Sequence, residues 1–232
     1  MDSFKLKGRK HTYLVYRLVY ETVASNMYVI LRGNEAIIVD PHESEDLVIL
    51  LQQNDVDRVS IILTHEHYDH TSGLRWLCDL YPSTVYCQKI CAETIAVKRK
   101  NNPALIALVL ADKDKVDGGC RYADFKQKFK PYSCDADYTF DSEVLWIIAG
   151  IEVRGVSTPG HSPGSAFFYI DDVLAFSGDT LLRDFPIVTR FRTSSPVDYE
   201  QITLPYLKNL NPELILIPGH GNPFKTKDAQ YI

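Results

Sequence analysis

Seven consecutive residues, THEHYDH from Thr64 to His70, hold three of the chain's seven histidines and one aspartate. Imidazole and carboxylate are the donors that hold borderline divalent cations, so such a density of them points first to metal binding. His65 and His67 stand two apart, and on extended backbone they project to the same side. Asp69 and His70 follow where the chain turns towards a helix, displaced enough to serve a second centre a few ångströms away. Three later segments repeat the construction, an apolar run followed by a glycine-flanked donor. STPGHSPGS (157–165) carries His161, LAFSGDTL (174–181) carries Asp179, and LILIPGHG (214–221) carries His220. Glycines 160, 178, 219 and 221 stand beside these donors, and glycine allows the sharp turns that aim a side chain into a cleft. A solvated polar turn accounts for one such segment, but not for four of one design. His11 and His42 have no comparable context, and His42 reads as a structural residue.

These donors need apolar strands to carry them. Residues 13–22 alternate weakly. Residues 26–41 read as a hairpin about Arg32-Gly33-Asn34, its second run stopped at Asp40-Pro41. Residues 44–54 have helical spacing at Leu47, Leu50 and Leu51, with Ser44 as N-cap. The β-branched run 59–63 predicts a buried strand that feeds directly into THEHYDH. Residues 73–82 read as a helix ended by Pro82, 84–88 as a strand, and a further helix begins near Ala92. Between 98 and 136 the pattern changes to polar and basic, with helices expected over 102–113 and 122–130. We read this stretch as an insertion into a single domain spanning 1–232, too short to bury a core of its own. Tyr122, Phe125, Tyr132 and Tyr138 are expected to wall a pocket or to pack on one another. Strands return at 143–150, 151–158, 165–171, 172–178 and 213–221, with a helix over 204–210. Strands with interspersed helices in both halves indicate an α/β protein of two face-to-face sheets with helices outside.

Composition narrows the function classes. The chain has 232 residues, 45% of them apolar and 24% charged, enough for one large domain without disulfides. A net charge of -5 does not suggest nucleic acid as a partner; a small-molecule substrate is what the resemblance described below implies. The charge is uneven: residues 98–130 hold nine Lys and Arg against four Asp, a local +5 that leaves -10 for the remainder. Arg183, Arg190 and Arg192 follow Asp179 closely and are candidate substrate-binding residues for an anionic group. No apolar run reaches the ~18 residues of a membrane span. The five cysteines form no CxxC pair and the start is polar, which reads as reduced thiols in a cytoplasmic protein. The sequence leaves a homodimer open.

With these segments in place, the chain resembles the metallo-β-lactamase-fold hydrolases. THEHYDH fits their HxHxDH signature, and TPGHSPGS, FSGDTL and PGHG are similar to their remaining metal motifs, in order, from about Asn26 to Gly221. The resemblance is specific for fold and metal site and not for substrate. It implies a four-layered αββα sandwich with two metals at one edge between the sheets. His65, His67 and His161 would bind one metal; Asp69, His70 and His220 would bind the other; Asp179 would bridge them. The implied cofactors are two divalent metal ions, with zinc suited to the donors and iron or manganese also compatible. The implied nucleophile is a metal-bridging hydroxide, with Asp69 as the catalytic carboxylate that orients it. No serine or cysteine nucleophile is then required, and Ser162 and Ser165 read as turn residues. Histidine at 67, where the diiron flavoprotein branch usually has a carboxylate, counts against electron transfer.

Within that superfamily, TPGHSPGS and FSGDTL most resemble the glyoxalase II-like branch, whose members often hydrolyse thioesters such as hydroxyacylglutathione. Only eleven residues follow the last motif, so that branch's C-terminal helical domain is expected to be absent, and its glutathione specificity with it. The expected function is metal-dependent hydrolysis of a small, anionic ester, thioester or lactone. The alternatives are an iron-dependent sulfur dioxygenase, a phosphodiesterase or nuclease of the same fold, and a binding protein that keeps its metals for stability.

Overall fold

The computed structural model describes residues 1–8, 11–101, 103–128 and 131–232. Seven strands pair in chain order in the first sheet: β1 (Asp2–Lys7), β2 (Thr12–Tyr20), β3 (Ser25–Arg32), β4 (Glu35–Val39), β5 (Arg58–Leu63), β6 (Ser83–Gln88) and β7 (Tyr138–Phe140). Pairing is antiparallel from β1 to β4 and parallel from β4 to β7. The second sheet holds β8 (Glu143–Ile148), β9 (Ile151–Ser157), β10 (Ala166–Ile170), β11 (Leu174–Gly178), β12 (Ile215–Pro218) and β13 (Phe224–Lys225). Only β11 and β12 run parallel there.

Helices cover the outer face of each sheet. On the first sheet lie α1 (Glu45–Gln53), α3 (Leu74–Leu80), α4 (Lys89–Ile95), α5 (Ala104–Asp117) and α6 (Arg121–Lys128), with the single turn α2 (Tyr68–Thr71) at its edge. On the second lies a continuous helical stretch made of α7 (Pro196–Asp198), a π-helical segment (Tyr199–Thr203) and α8 (Leu204–Lys208). Among the described residues no helix is long and apolar enough to cross a membrane.

Alternation along the strands produces the layers. Ile37 and Val39 face the core between the sheets, whereas Ala36 and Ile38 face the helices beyond the first sheet. In the second sheet Phe168 and Ile170 point into the shared core and Phe167 and Tyr169 point outwards to Leu207 of α8. A strand buried on both faces reads as a continuous apolar run, which is why 59–63 and 166–170 carry so strong a signal. The result is the expected four-layered αββα sandwich. Ser44 caps α1 as its sequence suggests, accepting a hydrogen bond from Leu47 N.

The hairpin turn tightens to Gly33-Asn34, with Gly33 at φ +63°. Strands β1, β7 and β13 were not expected. They lie at sheet edges; β1 is largely polar, and β7 and β13 are only three and two residues long, so periodicity reveals them poorly. The stretch 98–136 also departs from expectation. Phe125 and Tyr132 are buried in the same core as α1, α3 and α4, with Tyr68 between them at ring distances of 5.9 and 6.2 Å. Tyr138 stacks on Tyr86 in the first sheet, and Tyr122 is exposed beside Lys126. These four aromatics form neither a pocket wall nor a separate small core. Tyr132 instead donates from its hydroxyl to the Thr71 carbonyl (2.6 Å), tying this segment to the end of α2. The expected helix ends at Asn102, Phe129 and Lys130 lie outside the described residues.

Candidate metal centre

Every donor picked out by the sequence stands just beyond the C-terminal end of a strand. His65 and His67 leave β5, His161 follows β9, Asp179 follows β11 and His220 follows β12. His67 caps α2, which carries Asp69 and His70 in its single turn. The two sheets meet at this edge because β3 docks on the loop after β12. Asn26 N donates to the Gly219 carbonyl (2.7 Å), and the Tyr28 hydroxyl donates to the Pro218 carbonyl (2.8 Å).

The donors fall into two triads. Ligand atoms of His65, His67 and His161 lie within 4.8 Å of one another, and so do those of Asp69, His70 and His220. Asp179 stands between the triads. Its Oδ2 is 3.6 Å from His161 Nε2 and 3.4 Å from His220 Nε2, while its Oδ1 is 3.5 Å from His70 Nε2. Asp69 Oδ2 lies 3.6 Å from His70 Nε2 and 3.5 Å from His220 Nε2.

The histidines are held from behind. His161 Nδ1 bonds to the Val188 carbonyl and His220 Nδ1 to the Ala24 carbonyl, each at 2.9 Å. A carbonyl only accepts, so the proton sits on Nδ1 and the Nε2 lone pair faces inwards. Asp40 does the same for His70 and, through Thr64, for His65. Its Oδ2 takes His70 Nδ1 at 3.0 Å and the Thr64 hydroxyl at 2.6 Å, and that hydroxyl oxygen lies 3.1 Å from His65 Nδ1. Asp40 Oδ1 accepts from Thr64 N at 2.8 Å. With its oxygens so engaged, Asp40 orients two histidines rather than serving as a donor to an ion, although it lies within ligand distance of both.

The inward atoms are the test of fit. His65 Nε2, His70 Nε2 and Asp179 Oδ1 are buried without a hydrogen-bond partner, and His67 turns its Nδ1 to within 2.9 Å of His161 Nε2. Buried polar atoms are rarely left unpaired, and these inward-facing donors match what a cation site requires. Two of the glycines serve close approach here. A methyl on Gly219 would stand 2.4 Å from Asp179 Oδ1, and one on Gly178, at φ +50°, would stand 2.6 Å from Thr64 Oγ1.

Electrostatics separates the two triads. Burial, together with neighbouring imidazoles, pushes His65 well below its ordinary value; burial likewise lowers His67, and brings His161 to about 4. At the other triad burial also opposes charge, but the carboxylates of Asp179 and Asp69 outweigh it. They raise His220 to about 10 and His70 well above its ordinary value. Burial raises the Asp179 carboxyl, yet His220 and His70 hold it well below the usual range. When protons alone compensate these carboxylates, the charge pairing at His220 stabilises the fold fully below pH 6.5 and fades as pH rises through about 10. A cation at Asp69, His70 and His220 must displace those protons. Its apparent affinity is therefore expected to rise about tenfold per pH unit, for each proton displaced, between about pH 6.5 and 9. Competition against a chelator of known protonation measures this, and a pH-independent affinity contradicts it.

Sequence reasoning missed Asp40 and Glu66. The only local sign of Asp40 was Asp-Pro at a strand end, and its φ of +54° marks a constrained position. Glu66 is buried, and its carboxylate accepts from the Ser162 hydroxyl (2.9 Å) and Gly164 N (3.3 Å). Ser162 also bonds Ser165 (2.9 Å). The two serines are thus more than turn residues, because with Glu66 they fasten THEHYDH to TPGHSPGS. His42 is buried and stacked on Tyr20 at 5.3 Å, as a structural residue would be.

A cavity of about 570 Å³ opens over Asp69, Asp179, His161 and His220, with a largely apolar wall that includes Ile106, Leu182, Phe185 and Phe191. Of the three candidate arginines, Arg192 lines a second cavity beside His67. Arg183 faces Asp184 at 3.6 Å, and Arg190 is exposed and lines neither cavity.

Two mixed sheets between helical layers, with imidazole and carboxylate donors gathered where strands of both sheets end, define an α/β protein built for a dinuclear metal site. The chain belongs to the metallo-β-lactamase superfamily, whose sequence profile matches residues 20–220. Among its relatives is the "probable polyketide biosynthesis zinc-dependent hydrolase BaeB" of Bacillus velezensis, 27% identical over 216 residues that cover 91% of this chain and 80% of that protein. A hydroxyacylglutathione hydrolase of Tolumonas auensis is 41% identical over only 56 residues, 24% of this chain and 22% of that protein. Among solved structures, TTHA1623 in a di-iron-bound form superposes with a TM-score of 0.68 at 23% identity, over 92% of this chain and 96% of that one.

Proposed function

We propose that the chain is a metal-dependent hydrolase of small esters, thioesters or lactones. The observation that carries this reading is the pair of donor triads joined through Asp179, with buried atoms that lack partners inside the protein. His65, His67 and His161 would hold one cation, Asp69, His70 and His220 the other, and Asp179 both. Zinc is the metal we assign, on the mixture of imidazole and carboxylate donors and on the zinc dependence in the name of the Bacillus relative. When bound, the cations supply a Lewis acid for the scissile carbonyl and lower the pKa of water towards neutrality.

The protein supplies the rest. Asp69 lines the floor of the apolar cavity, placed to accept a hydrogen bond from the attacking water and so to orient it. The hydrophobic wall limits competing solvent around the substrate, which strengthens each polar contact inside. The Ser162 hydroxyl is committed to Glu66 and Ser165, which takes it out of nucleophilic work. Thioesters are the substrates we favour, because TPGHSPGS and FSGDTL resemble the glyoxalase II-like branch and a short stretch matches a hydroxyacylglutathione hydrolase.

Elemental analysis followed by an ester, thioester, lactone and phosphodiester panel tests this reading. Two metal equivalents are expected, with turnover of at least one carbonyl substrate that is lost to chelator and restored by metal. Fully loaded protein that turns over no member of the panel overturns the hydrolase reading. Thiol-dependent oxygen uptake with a single iron would mark the dioxygenase instead.

A further inference from the structure

Residues 24–26, where the chain enters β3, hold the triad of Asp69, His70 and His220 from two sides. The Ala24 carbonyl takes His220 Nδ1 (2.9 Å), and Ser25 pairs with His220 as an isolated antiparallel bridge. The Ser25 hydroxyl donates to the Asp69 carbonyl (2.8 Å). The Asn26 side-chain amide donates to the carbonyls of Pro218 (3.0 Å) and Gly221 (2.8 Å), on either side of His220, while Asn26 N holds the Gly219 carbonyl. Ser25 and Asn26 are 1% and 2% exposed, so water does not replace these bonds when a side chain is removed. Ala24 stands at φ +62°, a left-handed conformation that alanine seldom adopts and that persists only where its surroundings enforce it.

The triad of His65, His67 and His161 is fastened by other residues. Glu66 accepts from the Ser162 hydroxyl (2.9 Å) and Gly164 N (3.3 Å), and Ala166 N of β10 donates to the Thr64 carbonyl (2.9 Å). Each clamp ties donors of the first sheet to a loop of the second, and the two clamps share no residue. Asp40 differs from both, because through His70 and Thr64 it backs a donor of each triad. Metal–nitrogen bonds span only about 2.0–2.1 Å, so a donor loop that slides by an ångström leaves coordination range.

We propose that the two cation sites have separate supports, and that Ser25 and Asn26 are positioning residues for the site of Asp69, His70 and His220 alone. The inference rests on the dinuclear reading of the donors and goes beyond it. Removing hydrogen bonds that touch no ion should leave the chain with one cation, and the clamp chosen decides which one. Without the Ser25 hydroxyl, α2 and the loop after β12 lose their common anchor. Without the Asn26 amide, the carbonyls that fix the backbone around His220 are left buried and unpaired.

The test compares wild type with S25A, N26A and, for the other clamp, S162A. Each protein is dialysed against zinc buffered by a chelator at the lowest free concentration that fills both wild-type sites. Metal content then gives the stoichiometry, and X-ray absorption counts the imidazoles on whatever zinc remains. In S25A and in N26A one site should weaken about 10- to 100-fold, leaving about one equivalent. That remaining ion should carry three imidazoles, from His65, His67 and His161. S162A should also keep about one equivalent, but with the two imidazoles of His70 and His220. Thermal melts of the metal-free proteins establish that each variant is folded. Should N26A not fold, S25A, which loses a single hydroxyl, decides the matter. Two equivalents retained by S25A and N26A overturn the proposal. So does equal loss of both ions, or a remaining ion with two imidazoles in either variant. Wild type that never takes a second equivalent removes the dinuclear reading itself, and that result appears before any variant is compared.

Discussion

Asp179→Ala is expected to lose metal and turnover together, with kcat/KM falling about 10³-fold. Asp179 stands between the triads, lying within 3.6 Å of inward nitrogens on His161, His70 and His220. Two divalent cations bring four positive charges into a site whose facing carboxylates are Asp69 and Asp179. Removing one unit charge at about 4 Å costs about 4 kcal/mol at an effective dielectric near 20, equivalent to about 10³ in an equilibrium constant. Metal content and turnover, measured on the same preparation, check this. A variant that keeps both at wild-type levels shows that Asp179 does not bridge. Asp179→Asn, which keeps an oxygen without the charge, should fall between the two.

Asp40→Asn is expected to weaken metal binding by about 10- to 100-fold without removing any donor to the ions. Asp40 accepts from Thr64 N, from the Thr64 hydroxyl and from His70 Nδ1. An amide there offers one oxygen where two are used, and turns N–H groups towards a donor. If the amide N–H faces His70, His70 can bond to it only by moving its own proton to Nε2, the atom that faces Asp179; if the N–H faces Thr64, it opposes the Thr64 N–H instead. Both His70 directly and His65 through Thr64 lose their fixed orientation. Cobalt substitution reports the coordination at each centre by its visible spectrum, and it should be altered in the variant while the fold survives. Unchanged affinity and an unchanged spectrum would show that Asp40 only links β4 to β5.

Much of the centre was legible in the sequence, and the reason is local. Histidines and aspartates at glycine-flanked strand ends announce themselves by type and position, and apolar runs such as 59–63 and 166–170 announce buried strands. The seven donors so identified are the residues found gathered in the two triads and between them. Asp40 was not legible. It meets His70, thirty residues away, only because β4 and β5 pair in parallel with Val39 opposite Ile62. Glu66 lay in plain view inside THEHYDH, but what it clasps comes from a loop 96 residues on. The basic segment misled in another way: Arg121 is ion-paired with Asp114 and Asp117 of the neighbouring helix, so its positive charge is compensated where it stands.

The sequence by itself thus determined which side chains could hold cations, in what order, and the two-sheet α/β architecture that carries them. Tertiary structure alone decided which of their nitrogens face inwards, through the Ala24 and Val188 carbonyls and Asp40. Donor type and strand period are properties of a few neighbouring residues. Tautomer, orientation and charge compensation are set by whatever distant segment packs alongside, and only the folded chain brings that segment near.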